Sequence, residues 1–315
     1  MASDSSEQVR DQTKRVEPLV KSPPIFSAQR VWVLMASTFT QLVRMKTFYF
    51  LAIFALLVIA ASNLNLLYTP VQQLKVIRET SLGAMSIFSW LFAITATAVL
   101  IPRDLEDRTL YTILCKPVPR LEYLVGKLLG VLAVIGVALA LMCGLFTVIL
   151  HFQETSIIAS EMHHMAQNPR FTEEDRITEA AMIAAYGPDL NLLYGVLAVF
   201  LKSAVLAAVA MLVSTFASSS LFTIIITFVV FLIGHFHKMA TDFWVVEQQG
   251  GWITRMIGKV MILVIPDFQI FNISDSISSG QVVGLATMVE MSGLAALYLG
   301  LFTIASWFVF SDKEF

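Results

Sequence analysis

Long apolar stretches separated by short polar segments run through most of this 315-residue chain. A bilayer core of about 30 Å requires about 20 consecutive, mostly apolar residues in a helix. Six stretches reach that length and predict an all-α integral membrane protein. We place the spans near residues 47–67, 81–101, 124–150, 191–216, 218–236 and 281–310. A few small residues around Ala217-Ser218-Ser219 join the fourth and fifth spans, which should therefore form a tight antiparallel pair.

The chain before the first span has a different pattern. Residues 1–24 are rich in Ser, Asp, Glu, Lys and Arg, and they end in Pro23-Pro24. They contain no apolar run, which predicts a disordered tail. From Phe26 to Lys46, apolar residues recur at helical spacing opposite a polar face. This segment should be an amphipathic helix lying along the membrane surface, and residues 25–315 should form one membrane domain.

Composition supports the membrane prediction and excludes other classes of protein. The chain is 57% hydrophobic and 14% charged, whereas soluble domains average about 45–50% and about 25%. It carries 21 Lys and Arg against 23 Asp and Glu, so it lacks the basic excess of a nucleic-acid binder. Its two cysteines, Cys115 and Cys143, cannot build a disulfide framework.

The distribution of Lys and Arg predicts the orientation of the chain. With the amino terminus inside, the inner segments hold 13 basic residues and the outer segments hold 7. Basic residues are enriched in cytoplasmic loops. Both termini should therefore be cytoplasmic.

Two short helices are predicted on the outer side, one before the fourth span and one before the sixth. Thr172, followed by three acidic residues, is a capping-box pattern, and Gly187-Pro188 ends the helix that it begins. Residues 252–265 are apolar but too short to span, and they carry Arg255 and Lys259. These two cations could meet an anionic lipid or substrate head group at an outer gate, or they could simply anchor the helix at the interface.

The most strongly charged internal segment lies between the second and third spans. Residues 102–127 contain five basic and four acidic residues, and the orientation above makes the segment cytoplasmic. An apolar stripe of Leu105, Leu110, Ile113 and Leu114 predicts a short helix, which Lys116-Pro117 ends. A helix held between two spans can transmit a push from a soluble partner into the membrane.

This segment resembles the type 2 permeases of ATP-binding-cassette (ABC) transporters. The residues that match the family pattern are Glu106, Thr109, Leu110, Ile113, Leu114, Lys116, Pro117, Arg120, Tyr123, Gly126 and Lys127. The sequence departs from the pattern at Arg108, where the family usually has Gly. The surface helix, the six spans and Pro266-Asp267-Phe268 before the last span also resemble this family, from about residue 26 to the end.

The resemblance implies the membrane subunit of an exporter in the cell membrane. Two permeases, identical or related, would enclose a pathway, and each would dock a separate cytoplasmic ATPase that binds ATP and Mg²⁺. The residues expected to couple to that ATPase are Glu106, Arg108, Thr109, Leu110, Lys116, Pro117, Arg120, Tyr123, Gly126 and Lys127. The chain itself lacks a phosphate-binding loop, because neither Gly126-Lys127 nor Gly258-Lys259 has the following Ser or Thr. We therefore expect no cofactor on this chain and no enzymatic activity of its own.

An intramembrane metalloprotease and a non-transporting membrane anchor are the other two functions to compare with the sequence. An intramembrane metalloprotease needs a ligand set such as His-Glu-x-x-His, and the sequence contains none. The paired histidines, at 163–164 and around 235–237, lack Cys or carboxylate companions at ligand spacing, so we expect no metal site. A non-transporting membrane anchor that recruits an ATPase remains an alternative.

Within the spans, Lys202 and Glu290 are unusual. Lys202 lies about 11 residues into the fourth span and Glu290 about 9 into the sixth, both from the outer side, so their depths are similar. They could form a buried pair along the substrate path, or Lys202 could extend outward while Glu290 faces wet protein. Gly126 and Gly130 have the small-xxx-small spacing that allows close helix packing, for example in a dimer.

Overall fold

A computed structural model describes residues 27–61, 69–106, 119–168, 171–217, 219–236 and 266–311. Of these residues, 87% are helical and none is in a strand, so the predicted all-α class is confirmed for the described part. The helices are α1 (Ala28–Val43), α2 (Lys46–Ala61), α3 (Pro70–Glu106), α4 (Arg120–Gln167), α5 (Glu173–Ala184), α6 (Leu190–Phe216), α7 (Ser220–His235), α8 (Ser274–Ser278) and α9 (Leu285–Ser311). The predicted tail at residues 1–24 lies outside the described residues.

Four of the described helices, α3, α4, α6 and α9, are long and apolar enough to cross a membrane. The pair α1 and α2, whose axes differ by 67°, would add a fifth span if it is counted as one broken span. Helices α2 and α7 have 16 residues each and are therefore about 24 Å long. This length is shorter than the bilayer core of about 30 Å, which a helix of roughly 20 residues crosses. The described part therefore has four to five candidate spans, and six remains a prediction.

Helix α6 lies at the centre of the bundle, between α3 and α9. Its bounds agree with the predicted fourth span because polar caps flank the apolar run. Asp189 accepts a hydrogen bond from the Leu192 N–H at 3.1 Å and begins α6, and Ser219 does the same for α7. In the most apolar part of α6, 78% of the residues are buried, whereas the figure for α9 is 22%. Helix α9 therefore faces mostly outward from the bundle.

Helix α3 begins earlier than the predicted second span. Residues 68–80 were expected to be an outer connection, but the helix starts at Pro70. Proline is favoured in the first turn of a helix. Leu74 and Ile77 are fully buried, whereas Lys75 is exposed. This segment therefore has one face packed in the bundle and one face exposed. The apolar run alone could not reveal this extension.

Helix α4 likewise continues past the predicted end of the third span at residue 150 and reaches Gln167, for a total of 48 residues. Helix α5 packs beside this extension, with Ile157 and Ile183 buried in the same core cluster. The capping box predicted at Thr172 is present. Hydrogen bonds from Thr172 to Asp175 hold the pKa of that carboxyl below its usual value.

Candidate functional site

The predicted coupling residues that the structure describes meet at one end of the bundle, which we call the base. Glu106 is the last residue of α3, while Arg120, Tyr123, Gly126 and Lys127 lie on the first turns of α4. Several predicted features lie outside the described residues. Five of them are the other predicted coupling residues, Arg108, Thr109, Leu110, Lys116 and Pro117. The predicted helix between spans 2 and 3 and the predicted helix at 252–265, with its Arg255 and Lys259, also lie outside.

A buried ion pair joins α3 to α4 at the base. The Lys127 Nζ lies 2.7 Å from the Asp104 Oδ2, and both side chains are less than 10% exposed. The Tyr123 hydroxyl donates a hydrogen bond of 2.6 Å to the same oxygen. The Lys127 Nζ also lies 3.5 Å from the Gln41 Oε1 on α1. One carboxylate on α3 therefore holds two side chains of α4, one of which reaches a third helix.

A second ion pair joins α4 to the start of α1. The fully buried Glu122 carboxylate accepts hydrogen bonds from the Arg30 Nε at 2.7 Å and from its Nη2 at 2.9 Å. It also accepts one from the Ser27 backbone N–H at 2.6 Å. Two parallel guanidinium bonds fix the orientation of both groups. The negative charge lies at the amino-terminal end of α1, where the helix dipole favours it.

Arg120 connects α4 to the end of α9. Its Nη1 donates to the Phe310 carbonyl at 2.8 Å and to the Ser311 carbonyl. The last carbonyls of a helix have no partner within the helix, so a cation there satisfies them and complements the helix dipole. The Tyr123 ring stacks on the Phe310 ring with centroids 6.0 Å apart. We call the set Arg30, Asp104, Arg120, Glu122, Tyr123 and Lys127 the basal junction.

The glycines at 126 and 130 allow α1 to lie directly against α4. A Cβ added at Gly126 would lie 2.6 Å from the Leu34 Cβ, and one at Gly130 would lie 2.5 Å from the Thr38 Cβ. Real side chains essentially never come so close. The small-xxx-small pair therefore packs two helices of one chain in this structure, rather than two chains of a dimer.

The basal junction should hold its helices together because its charges are difficult to separate. Removing one partner of a buried ion pair typically costs about 3–5 kcal/mol, since the remaining charge loses its compensation. The Glu122 and Asp104 pairs, with Arg120 on the carbonyls of α9, connect α1, α3, α4 and α9. A displacement of any one of these helix ends should therefore move the other three.

The predicted pair of Lys202 and Glu290 does not form within the chain. Lys202 is 7% exposed and has no ion pair among the described residues, whereas Glu290 is exposed. The reason is the face of α9 on which Glu290 lies. Met288, Met291 and Ala295 form the buried face of this part of α9, whereas Glu290 is exposed.

Lys202 is instead placed over an aromatic ring. Its Nζ lies 5.4 Å from the centroid of the Phe231 ring on α7. A cation over an aromatic face is attracted by the ring quadrupole, but this attraction does not replace a counter-charge inside a bilayer. Among the described residues, no group of three His, Cys, Asp or Glu side chains could hold a metal ion.

Four important residues were not predicted from the sequence. Arg30, Asp104 and Glu122 complete the basal junction, and Arg78 is fully buried near the opposite end of the bundle. Arg78 donates hydrogen bonds to the Ile277 carbonyl at 3.2 Å and to the carbonyl of residue 187. A signal was available for Asp104 and Glu122, because both are charged residues beside helices predicted to be membrane-embedded. Their partners could not be read from the chain.

No protein-family model matches this chain, and no curated protein matches it. A function for this chain is therefore a proposal, which rests on the basal junction and the sequence resemblance.

Proposed function

We propose that this chain is the permease subunit of a type 2 ABC exporter in the cell membrane. Two copies, or one copy with a related chain, enclose the substrate pathway. Each copy docks a separate cytoplasmic ATPase, which binds ATP and Mg²⁺. The base faces the cytoplasm with both termini, in agreement with the excess of Lys and Arg in the segments at that end.

The observation that carries the proposal is the ion pair between Asp104 and Lys127. Asp104 lies two residues before the end of α3, within the charged segment and just before Glu106, where the match to the permease pattern begins. A push on that segment reaches α3 first. The Asp104 Oδ2 lies 2.7 Å from the Lys127 Nζ. Because this ion pair joins the end of α3 to α4, a displacement of α3 moves α4 as well.

The remaining contacts of the basal junction distribute the same movement. Arg120 passes it to the end of α9, and Glu122 passes it to the surface helix α1 through Arg30. Alternating access requires two packings of the bundle whose relative free energies depend on the ATPase and the substrate. A rigid base whose helices move together is suited to switch between two such packings.

The test uses the chain purified with its native ATPase and reconstituted in lipid vesicles. Mass spectrometry of the purified complex first identifies a small molecule that it retains, which serves as the transport probe. Asp104→Asn should leave the ATPase bound and hydrolysing ATP, while accumulation of this probe in the vesicles falls at least tenfold. Glu106→Gln should weaken binding of the ATPase itself. The matched control is Lys75→Gln, which removes an exposed charge on the same helix at its far end.

Normal accumulation in the Asp104→Asn complex would overturn the proposed route of coupling. A wild-type complex that binds the ATPase and hydrolyses ATP but moves no compound would instead favour the alternative, a membrane anchor that recruits an ATPase for another purpose.

A further inference from the structure

A cavity of about 860 Å³ lies where α1 meets α2. The axes of these two helices differ by 67°. The residues that line it are Ser37, Thr40, Gln41, Arg44, Met45, Lys46 and Thr47. Six of these seven side chains carry a polar group. Gln41 contacts Lys127 of the basal junction, but the polar character of the other lining residues has no explanation in the coupling mechanism.

The cavity carries two positive charges and no negative charge. Among the described residues, neither Arg44 nor Lys46 has an ion-pair partner, and both are exposed. Three other cations are engaged: Arg30 with a carboxylate, Lys127 with a carboxylate, and Arg120 with the carbonyls that end α9. The cavity, by contrast, holds two positive charges that no carboxylate of the described residues neutralises.

Neutral donors accompany the two cations. The Gln41 Oε1 faces the Lys127 Nζ at 3.5 Å, which leaves the amide NH₂ of Gln41 without a partner among the described residues. The Ser37 and Thr47 hydroxyls also have no hydrogen-bond partner there. Cations surrounded by neutral donors bind an anion with several acceptor oxygens, and a phosphate group fits this description.

The surface next to the cavity is strongly apolar. Exposed large side chains continue along α2 directly from the cavity wall: Tyr49, Phe50, Ile53, Phe54 and Leu57. Phe50 is 71% exposed and Leu57 is 63% exposed. A ligand that combines a phosphate with hydrocarbon chains would satisfy both surfaces. Its head group would enter the cavity while its chains lie along α2.

We propose that the cavity between α1 and α2 binds the head group of an anionic phospholipid. The lipid would hold the bend between α1 and α2 at the membrane surface. The site depends only on the charges and apolar surface of this region, so it does not require the transport proposal to be correct.

The experiment titrates the full-length chain in detergent with phosphatidylglycerol, with phosphatidylcholine of identical acyl chains, and with inorganic phosphate, and counts bound molecules by native mass spectrometry. The wild type should prefer phosphatidylglycerol. Arg44→Gln combined with Lys46→Gln should reduce that preference about 30-fold, because each basic group near an anionic lipid contributes a factor of about five.

Two control proteins keep the result interpretable. Arg44→Lys combined with Lys46→Arg retains both charges and should keep the preference within about threefold of the wild type. Lys75→Gln removes a charge far from the cavity and should have no effect. Each variant is used only if it elutes as a single species, which shows that it is folded.

Persistence of the preference in the double Gln variant would overturn the proposal, as would its loss in the charge-conserving variant. Displacement of phosphatidylglycerol by millimolar inorganic phosphate would also overturn it and would assign the cavity to a soluble phosphate compound. The proposal is supported if the double Gln variant loses the preference for phosphatidylglycerol, the charge-conserving variant keeps it, and inorganic phosphate does not compete.

Discussion

Neutralising Glu122 should release the start of helix α1 from helix α4. The Glu122 side chain is fully buried and accepts three hydrogen bonds, two from Arg30 and one from the Ser27 N–H. Glu122→Gln keeps the size of the side chain and one acceptor, but it removes the negative charge that Glu122 supplies to the Arg30 guanidinium. Breaking a fully buried pair costs about 3–5 kcal/mol.

The expected effect is at the low end of that range or slightly below it. The Arg30 side chain is 25% exposed, so water solvates part of its charge, and the Gln amide still accepts a hydrogen bond. We therefore expect about 2–3 kcal/mol, which increases the open population of α1 by roughly 30-fold to 150-fold. Arg30→Gln should cost more, because it leaves an uncompensated carboxylate that has no access to water.

Hydrogen exchange of the α1 amides, measured by mass spectrometry, reports this opening directly. The double variant, Glu122→Gln with Arg30→Gln, should protect α1 better than Arg30→Gln alone, since no buried charge remains. Lys75→Gln is the control, because it removes an exposed positive charge from α3 without breaking an ion pair among the described residues. Strictly additive effects of the two single variants would refute the reasoning.

The remaining predictions concern other parts of the bundle. Gly126→Ala should lower the thermal unfolding midpoint by an amount equivalent to about 1–3 kcal/mol, because its Cβ would overlap α1; Gly144→Ala, with no atom within 4 Å, should raise the midpoint slightly. Lys202→Met should stabilise the protein by about 1 kcal/mol or more, by removing a buried charge that has no described partner, and should reduce transport. Arg78→Met should destabilise the protein by about 3 kcal/mol, because two backbone carbonyls lose their donor. Thr172→Ala should increase hydrogen exchange in the first turn of α5, whereas Thr172→Ser should preserve it.

Each of these predictions has a contradicting result. Equal midpoints for the two glycine variants would show that α1 does not lie against α4. A less stable Lys202→Met protein would show that the ammonium group has a partner. Rescue by exchanging the charges of Lys202 and Glu290 would show that the two residues meet, contrary to the structure. Unchanged stability of Arg78→Met and unchanged exchange in Thr172→Ala would remove their proposed structural roles.

Helices α6 and α4 differ in how far their ends could be predicted from the sequence. The bounds of α6 were predictable because Asp189 and Ala217 flank a mostly apolar run. The extension of α4 to Gln167 was not, since a helix outside the bilayer needs no continuous apolar run. Its partner α5 supplies the burial, through contacts that depend on the folded chain.

The site was predictable only in part for a related reason. The motif identified Arg120, Tyr123 and Lys127, which meet at the base. It did not identify Arg30, whose partner Glu122 lies 92 residues further along the chain. Pairings at such separations arise from helix packing, and no local pattern encodes them.

The central claim is that an ATPase drives this chain from its cytoplasmic side. The most direct test is affinity purification of the full-length chain from its native membrane, followed by mass spectrometry of stoichiometric partners. The account predicts a soluble ATPase subunit with a phosphate-binding loop, whose retention falls in the Glu106→Gln variant and is unchanged in Lys75→Gln. Purification of the intact chain with no ATPase in stoichiometric amount would contradict the account.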